Sequence, residues 1–127
     1  MADLLEWGSA WLDGQRKTHL SRPVTYRRGA ESVEVQARVG RTVFEAADAY
    51  GVVERTESRD FLILAADLVL GGAPVLPERG DRIRETDGAK VYVYEVMAPG
   101  NEPHWRWSDD YRRTLRIHTK HVATEAA

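Results

Sequence analysis

The sequence contains no cysteine, and this absence excludes disulfide bonds, thiolate nucleophiles and cysteine-ligated zinc sites. It also lacks a long hydrophobic run, because FLILAADLVL is interrupted by Asp67 and is shorter than the ~18 residues of a membrane-spanning helix. The first residues, MADLLEWGSAW, have neither the basic region nor the long apolar region of a secretion signal. We therefore expect no membrane association and folding in a cytoplasm.

The chain also lacks a strong excess of charge of either sign. The 18 Lys and Arg residues are balanced by 20 Asp and Glu residues, which gives a net charge of -2 and a pI of about 6.1. Bulk attraction to nucleic acid is therefore not expected, and any contact with DNA must use a local patch. A chain of 127 residues that is 43% hydrophobic fits one soluble domain with a single core.

Sequence motifs of catalytic and phosphate-binding sites are missing as well. There is no G-x-x-x-x-G-K-[ST] or G-x-G-x-x-G loop and no serine in a G-x-S-x-G elbow. The sequence thus provides no phosphate-binding loop and no activated nucleophile. We assign no catalytic residue and no cofactor, and we expect that the protein is not an enzyme.

Residues 1–20 are predicted to form an N-terminal amphipathic α-helix with Asp3 as its cap. Apolar residues recur there at three- and four-residue spacings: Leu4, Leu5, Trp7, Trp11 and Leu12. Two tryptophans so near a terminus need a covering surface, either the barrel of the same chain, which we favour, or a neighbouring subunit. In the second case Trp7 and Trp11 are interface residues.

Residues 22–122 are predicted to form a single mainly β domain, a small antiparallel β-barrel or sandwich of six to seven strands. Turn residues separate short stretches of alternating polarity, with hairpins expected at Gly29-Ala30-Glu31 and Asp87-Gly88. A bulge or bend is expected at Gly40. The segment VVERTESRDFLILA, residues 52–65, is expected to form either two short strands or one strand that crosses an exposed rim, and its polar stretch Glu54 to Asp60 is the best candidate for a mobile loop that orders on assembly. Residues 123–127 are expected to be a frayed tail.

The segment KVYVYEVM, residues 90–97, is predicted to be a strand with two apolar faces. Val91 and Val93 lie on one face, while Tyr92, Tyr94 and Val96 lie on the other. One face belongs to the core, so the tyrosine face is expected to meet the helix, a loop or another subunit. Tyr92 and Tyr94 are therefore candidate interface residues.

The stretch WRWSDDYRRTLRIHTKHV, residues 105–122, combines aromatic, acidic and basic side chains. Alternation along a strand places His118 and His121 on opposite faces, so no metal site is expected. The same alternation predicts a basic stripe: Arg112, Thr114, Arg116, His118 and Lys120. With Trp105 and Trp107 this stripe has the layout of a single-strand nucleic-acid binder, although outward Arg and Lys are more often solvated or ion-paired.

Four groups of residues carry a resemblance: Phe61, Leu62, Ile63, Asp67 and Leu68; Pro77, Gly80, Asp81 and Ile83; Tyr92, Tyr94, Glu95 and Val96; Trp107, Ser108, Asp109 and Tyr111. With the N-terminal helix, they make about half of the chain resemble the short head-tail joining and head-completion proteins of tailed bacteriophages and prophages, such as the lambda-type adaptor. The P-x-x-G-D turn also recurs in other virion barrels, including tail-tube and tail-terminator proteins.

The resemblance implies a structural virion protein that forms a homo-oligomeric ring in the neck, after assembly in the host cytoplasm. Its implied partners are the portal or adaptor and the tail or tail-terminator proteins, and the genome DNA passes through its lumen without specific binding. Trp7, Trp11, Tyr92, Tyr94, Trp105 and Trp107 would then be interface residues. Arg112, Arg116 and Lys120 would line the lumen or contact a neighbouring subunit, and residues 71–78 would contact the portal or a neighbour.

Two other functions stay open from the residues alone. A single-strand nucleic-acid-binding barrel requires the basic stripe and the two tryptophans on one open face. A small-molecule-binding barrel, a class that includes enzymes, requires a cavity that is lined by Tyr26, Tyr92 or Tyr94 and has a few converging polar groups.

Overall fold

The computed structural model describes residues 21–47 and 49–127, and this part of the chain is mainly β. The predicted helix, with Trp7 and Trp11, lies outside the described residues. The described elements are β1 (Arg22–Arg28), β2 (Glu31–Ala47), β3 (Val53–Leu64), a 3-10 turn (Ala65–Asp67), β4 (Val69–Leu70), β5 (Ala73–Pro74), β6 (Arg82–Asp87), β7 (Lys90–Val96), β8 (Trp105–Trp107) and β9 (Thr114–Ala126). The predicted fold class is confirmed.

Seven strands form one antiparallel sheet in the order β3-β2-β1-β6-β7-β9-β8. The first half of β9 also pairs with β3, from Leu64↔Thr114 to Arg59↔Thr119, and this closes the sheet into a barrel. Closure leaves the short β8 attached to β9 outside the ring, while β4 and β5 form a separate two-stranded sheet. A closed barrel protects most of its strand edges from pairing with other chains.

Two predicted hairpins are confirmed at their turns. The β1–β2 turn places Gly29 at φ 59°, and the β6–β7 turn places Gly88 at φ 59°. Both values lie in the left-handed region, which glycine adopts at little cost. Asp87↔Lys90 is the last residue pair before the second turn, as expected for a two-residue loop.

The core fills the barrel interior with one face of each long strand. Its buried members include Val24, Tyr26, Val35, Ala37, Phe61, Ile63, Ile83, Tyr94, Val96, Leu115 and Ile117. The expectation that the tyrosine face lies outside the core is wrong for Tyr94, whose ring packs 5.3 Å from that of Phe61. Val91 and Val93 are also buried, so β7 is covered on both faces.

β2 and β3 continue beyond the barrel as a two-stranded extension, residues 41–58, which we call the arm. β1 pairs with β2 only up to Ala37, and β9 pairs with β3 only up to Arg59. Farther out the two strands pair with each other without a register shift, from Gly40↔Asp60 to Ala47↔Val53. The prediction of a mobile loop at Glu54 to Asp60 is therefore wrong, and the alternative of one strand that crosses an exposed rim is confirmed. Residues 54–57 are exposed, whereas Ser58 and Asp60 are buried where β3 enters the barrel.

Gly40 lies in this unbroken register, so the bulge expected there is absent from the β2–β3 pairing. The glycine is explained by a close approach instead, since a Cβ atom at this position would lie 3.3 Å from Nη2 of Arg116. The guanidinium of Arg116 also donates to the carbonyl oxygen of Arg41 at 3.1 Å. A larger residue at position 40 would compete with the Arg116 side chain for this space.

The expected frayed tail is also wrong. Residues 123–126 continue β9 and pair with β7, from Val93↔Ala123 to Lys90↔Ala126. The backbone N–H of Ala127 then donates to the carbonyl oxygen of Ala89 at 2.9 Å. The composition of VATEAA gives no strong strand signal, so the hydrogen-bonding edge of β7 determines the structure of the tail.

Candidate functional site

A buried carboxylate, Asp60, lies on the outer face of β3, opposite the core residue Phe61. Its Oδ1 accepts hydrogen bonds from Ser58 Oγ at 2.6 Å and His118 Nδ1 at 2.7 Å. Its Oδ2 accepts from Arg116 Nε at 2.7 Å and from the hydroxyl of Thr42. This group, which we call the Asp60 cluster, connects β2, β3 and β9 where the barrel closes.

The Asp60 cluster contains the three residue types of a catalytic triad, but its geometry does not form a proton relay. Ser58 Oγ lies 3.3 Å from His118 Nδ1, the same ring nitrogen that binds Asp60. A relay requires the serine at one ring nitrogen and the carboxylate at the other. All three residues are buried, and the contacts therefore join strands.

Burial favours the neutral form of Asp60, but hydrogen bonds from His118, Ser58 and Thr42 outweigh this effect and lower its pKa from 3.8 to about 2. A folded-state pKa below the unfolded value stabilises the protein above the unfolded pKa. We expect about 2 kcal/mol of this stability to be lost as the pH falls from roughly 4 to 2. Urea unfolding across this range should show the loss, and Asp60→Asn should flatten the profile. An unchanged slope in Asp60→Asn would contradict the assignment.

A second buried carboxylate, Glu85, points into one end of the barrel from β6, on the same face as Ile83. Its oxygens accept from Arg59 Nη2 at 3.0 and 2.7 Å and from Arg22 Nη1 at 2.6 Å. The guanidinium of Arg59 lies 5.0 Å from the ring centre of Tyr94. Charge pairing and cation–π contact thus close this end of the interior.

The third buried carboxylate, Asp81, ends the predicted Pro77–Asp81 turn, which the structure confirms with Gly80 at φ 90°. It accepts hydrogen bonds from the Tyr26 hydroxyl, from Arg28 Nε at 3.0 Å and from the backbone N–H of Glu78 at 2.9 Å. Burial, with a further contribution from Asp81, raises the pKa of Tyr26. The P-x-x-G-D motif therefore anchors the turn to β1.

Four of the aromatic candidate interface residues lie in the described part of the chain and make contacts within it: Tyr92, Tyr94, Trp105 and Trp107. Trp105 and Trp107 are half-buried, meet edge to face with ring centres 5.2 Å apart and pack against the core. Tyr92 is half-buried, and its ring centre lies 5.9 Å from that of His121. Tyr26 and Tyr94 are core residues. Packing within one subunit accounts for the burial of Tyr94.

The predicted basic stripe does not form. Arg112 lies in the turn before β9 with φ 55°, Arg116 is bound to Asp60, and His118 is buried with it. Of the stripe's charged members on β9, only Lys120 is exposed. His118 and His121 face different sides, as the alternation predicts, and no group of three or more metal-ligating side chains occurs among the residues that the structure describes.

A cleft of about 530 Å³ lies between the base of the arm and the second half of β9. Its ionisable lining comprises Arg41, Glu57, Arg59, Lys120 and His121, and Tyr94 contributes to its floor. β3 and β9 are paired up to Arg59↔Thr119 and diverge at this point. The cleft therefore lies where the barrel seam opens.

Sequence reasoning missed Asp60, Glu85 and Asp81 as buried residues. Glu85 had a detectable signal, because it is two residues from Ile83 and so shares the inward face of the strand. The burial of Asp60 had no signal in the local sequence, because the outer face of β3 is covered there by residues distant in sequence. One of them is Phe44, whose ring centre is 5.4 Å from that of His118. Asp81 was assigned only to a turn.

Comparison with known families gives a match over nearly the whole chain. Residues 2–126 match the family described as "Phage head-tail joining protein". A search of curated proteins found no significant match. In the described part of the chain, no helix is long and apolar enough to cross a membrane.

Proposed function

This chain belongs to the phage head-tail joining protein family, and from that membership we propose that it is a structural component of the virion neck, where it joins the DNA-filled head to the tail. The family match over residues 2–126 is the observation that carries the proposal. The resemblance of the four sequence motifs points to the same function. The mainly β barrel agrees with a part that works through complementary surfaces.

We propose that the protein assembles as a homo-oligomeric ring in the host cytoplasm and contacts the portal or adaptor on the head side and a tail or tail-terminator protein on the tail side. The arm supports a role in assembly, because it extends beyond the barrel and exposes Val43 and Val53. Leu76 and Tyr111 are exposed elsewhere on the surface. Trp7 and Trp11 are proposed to add contacts with the portal or a neighbouring subunit.

Passage of the genome DNA through the ring without specific binding is part of the same proposal. The net charge of -2 supports it, since a strongly basic ring would hold the phosphate backbone. The binding of Arg116 to Asp60 also supports it, because this cation is already neutralised within the subunit. Arg112 and Lys120 keep their proposed roles at the lumen or at a subunit contact.

A deletion and complementation experiment tests the joining function. A phage that lacks the gene is expected to accumulate DNA-filled heads and separate tails, and addition of the purified protein should restore joined particles. Electron microscopy and infectious titre measure both steps. Normal joined particles without the protein would contradict the proposal, and so would particles blocked before DNA packaging.

A further inference from the structure

The outer end of the arm is acidic and partly apolar. Residues 45–54, EAADAYGVVE, contain Glu45, Asp48 and Glu54 and no Lys or Arg, and the next residue, Arg55, forms an exposed ion pair of 3.5 Å with Glu45. Glu54 therefore carries the acidic character of this end among the described residues. Tyr50 is 92% exposed and Val53 is 58% exposed. We call residues 45–54 the arm tip. Its composition suits a basic surface with some apolar area.

The cleft at the base of the arm has the opposite charge. Arg41, Arg59 and Lys120 contribute cations, Glu57 is the carboxylate of its lining, and Arg59 is neutralised by the buried Glu85. Lys120 is therefore the principal cation that the cleft offers. Lys120 is exposed and has no ion-pair partner within the described residues. The Arg41–Glu57 pair is long at 3.4 Å and solvent-exposed, so it neutralises Arg41 only weakly.

The cleft also offers unpaired strand edges. Residues 120–126 of β9 pair with β7 along one edge, and in the described chain their other edge has no partner strand. The facing edge of β3, residues 53–58, likewise has no partner beyond Arg59. Exposed edges of this kind accept an additional strand from another chain.

We propose that the arm tip of one copy docks into the cleft of the next copy, an inference that rests on the proposed ring. A second copy fits because one sequence supplies both the acidic tip and the basic cleft. At about 3.3 Å per residue, residues 41–47 span roughly 20 Å along the arm. Contact between two different surfaces of identical subunits is the head-to-tail arrangement that generates rings.

Charge reversal tests the contact in the complementation assay. Lys120→Glu and Glu54→Lys are each expected to lower the yield of joined particles by about tenfold, and the double variant is expected to recover it. Arg79→Glu and Glu102→Lys are the matched controls, since both residues are exposed and belong neither to the arm nor to the lining of the cleft. Near-normal yields of both single variants would overturn the proposal, and so would a double variant without recovery.

Cross-linking tests the geometry directly, because the chain has no native cysteine. Joined particles that carry Val53→Cys and Val122→Cys in the same chain, treated with a short bismaleimide, should give a ladder of covalent multimers larger than dimers. Each single variant should give none. Particles that join normally but yield no multimers, or only dimers, would overturn the docking while leaving the joining function intact.

Discussion

Replacement of Asp60 with alanine is expected to lower the free energy of unfolding by about 3–5 kcal/mol. The change removes the acceptor of four side chains and leaves the Arg116 guanidinium and the His118 ring without their carboxylate in a buried site. For a chain of this length the melting temperature should fall by roughly 10–20 °C. Thermal and urea unfolding of the purified protein measure the change.

Two variants serve as controls for Asp60→Ala. Asp110→Ala removes a carboxylate from an exposed turn position and should change stability by no more than about 0.5 kcal/mol. The double variant Asp60→Ala with Arg116→Met should be less destabilised than Asp60→Ala alone, because it leaves no unpaired buried cation. A loss below about 1 kcal/mol in Asp60→Ala would show that the Asp60 cluster does not hold the barrel closed.

Local patterns in the sequence were sufficient for the strands and turns whose partners are close along the chain. The alternation of Val33 and Val35 with Glu34 and Gln36 predicts β2, and Asp87-Gly88 predicts the β6–β7 hairpin. In both cases a strand pairs with its neighbour in sequence, so turn chemistry and period alone determine the register.

The Asp60 cluster was not predictable in this way. Asp60 and His118 lie 58 positions apart, and only closure of the barrel brings them together. The surrounding ERTESRD has the composition of a loop, although its later residues are buried by β2 and β9. Burial of a polar residue on the outer face of a strand depends on long-range neighbours, which periodicity does not report.

Local patterns in the sequence were also insufficient for residues 123–127 and for β7. β9 contains a register shift opposite Val93 and Tyr94, and the shift reverses the side of the strand on which its later residues lie. Simple alternation therefore describes β9 up to His121 and fails beyond it. The continuation of β9 to Ala126 depends on the edge of β7 and not on the residues of the tail.

The three buried carboxylates share one arrangement, since each accepts from an arginine on a different strand. Asp60 binds Arg116, Glu85 binds Arg59 and Arg22, and Asp81 binds Arg28. Such pairs add little net stability over apolar residues, but they penalise a shift of strand register, which would leave charges buried and unpaired. A subunit whose arm and cleft must keep fixed positions gains from this restriction.

Replacement of Glu85 with alanine is expected to cost about 2–3 kcal/mol, less than Asp60→Ala, because Arg22 and Arg59 lose their shared carboxylate but are 54% and 34% exposed to solvent. Arg59 also lies in the cleft, so the variant should release its side chain from Tyr94. Urea unfolding measures the stability, and near-ultraviolet circular dichroism reports the environment of the tyrosine.

A double variant separates the loss of the ion pair from the loss of volume. Glu85→Leu with Arg59→Met replaces the paired charges by apolar side chains, and we expect it to recover at least half of the stability that Glu85→Ala loses. The same variant should keep the barrel closed, and it removes the Arg59 guanidinium from the cleft, together with its partner carboxylate. If docking of the arm tip uses Arg59, the yield of joined particles should be below that of the unmodified protein even though this variant is stable. Joining at the normal level would limit the docking contact to Lys120 and Arg41.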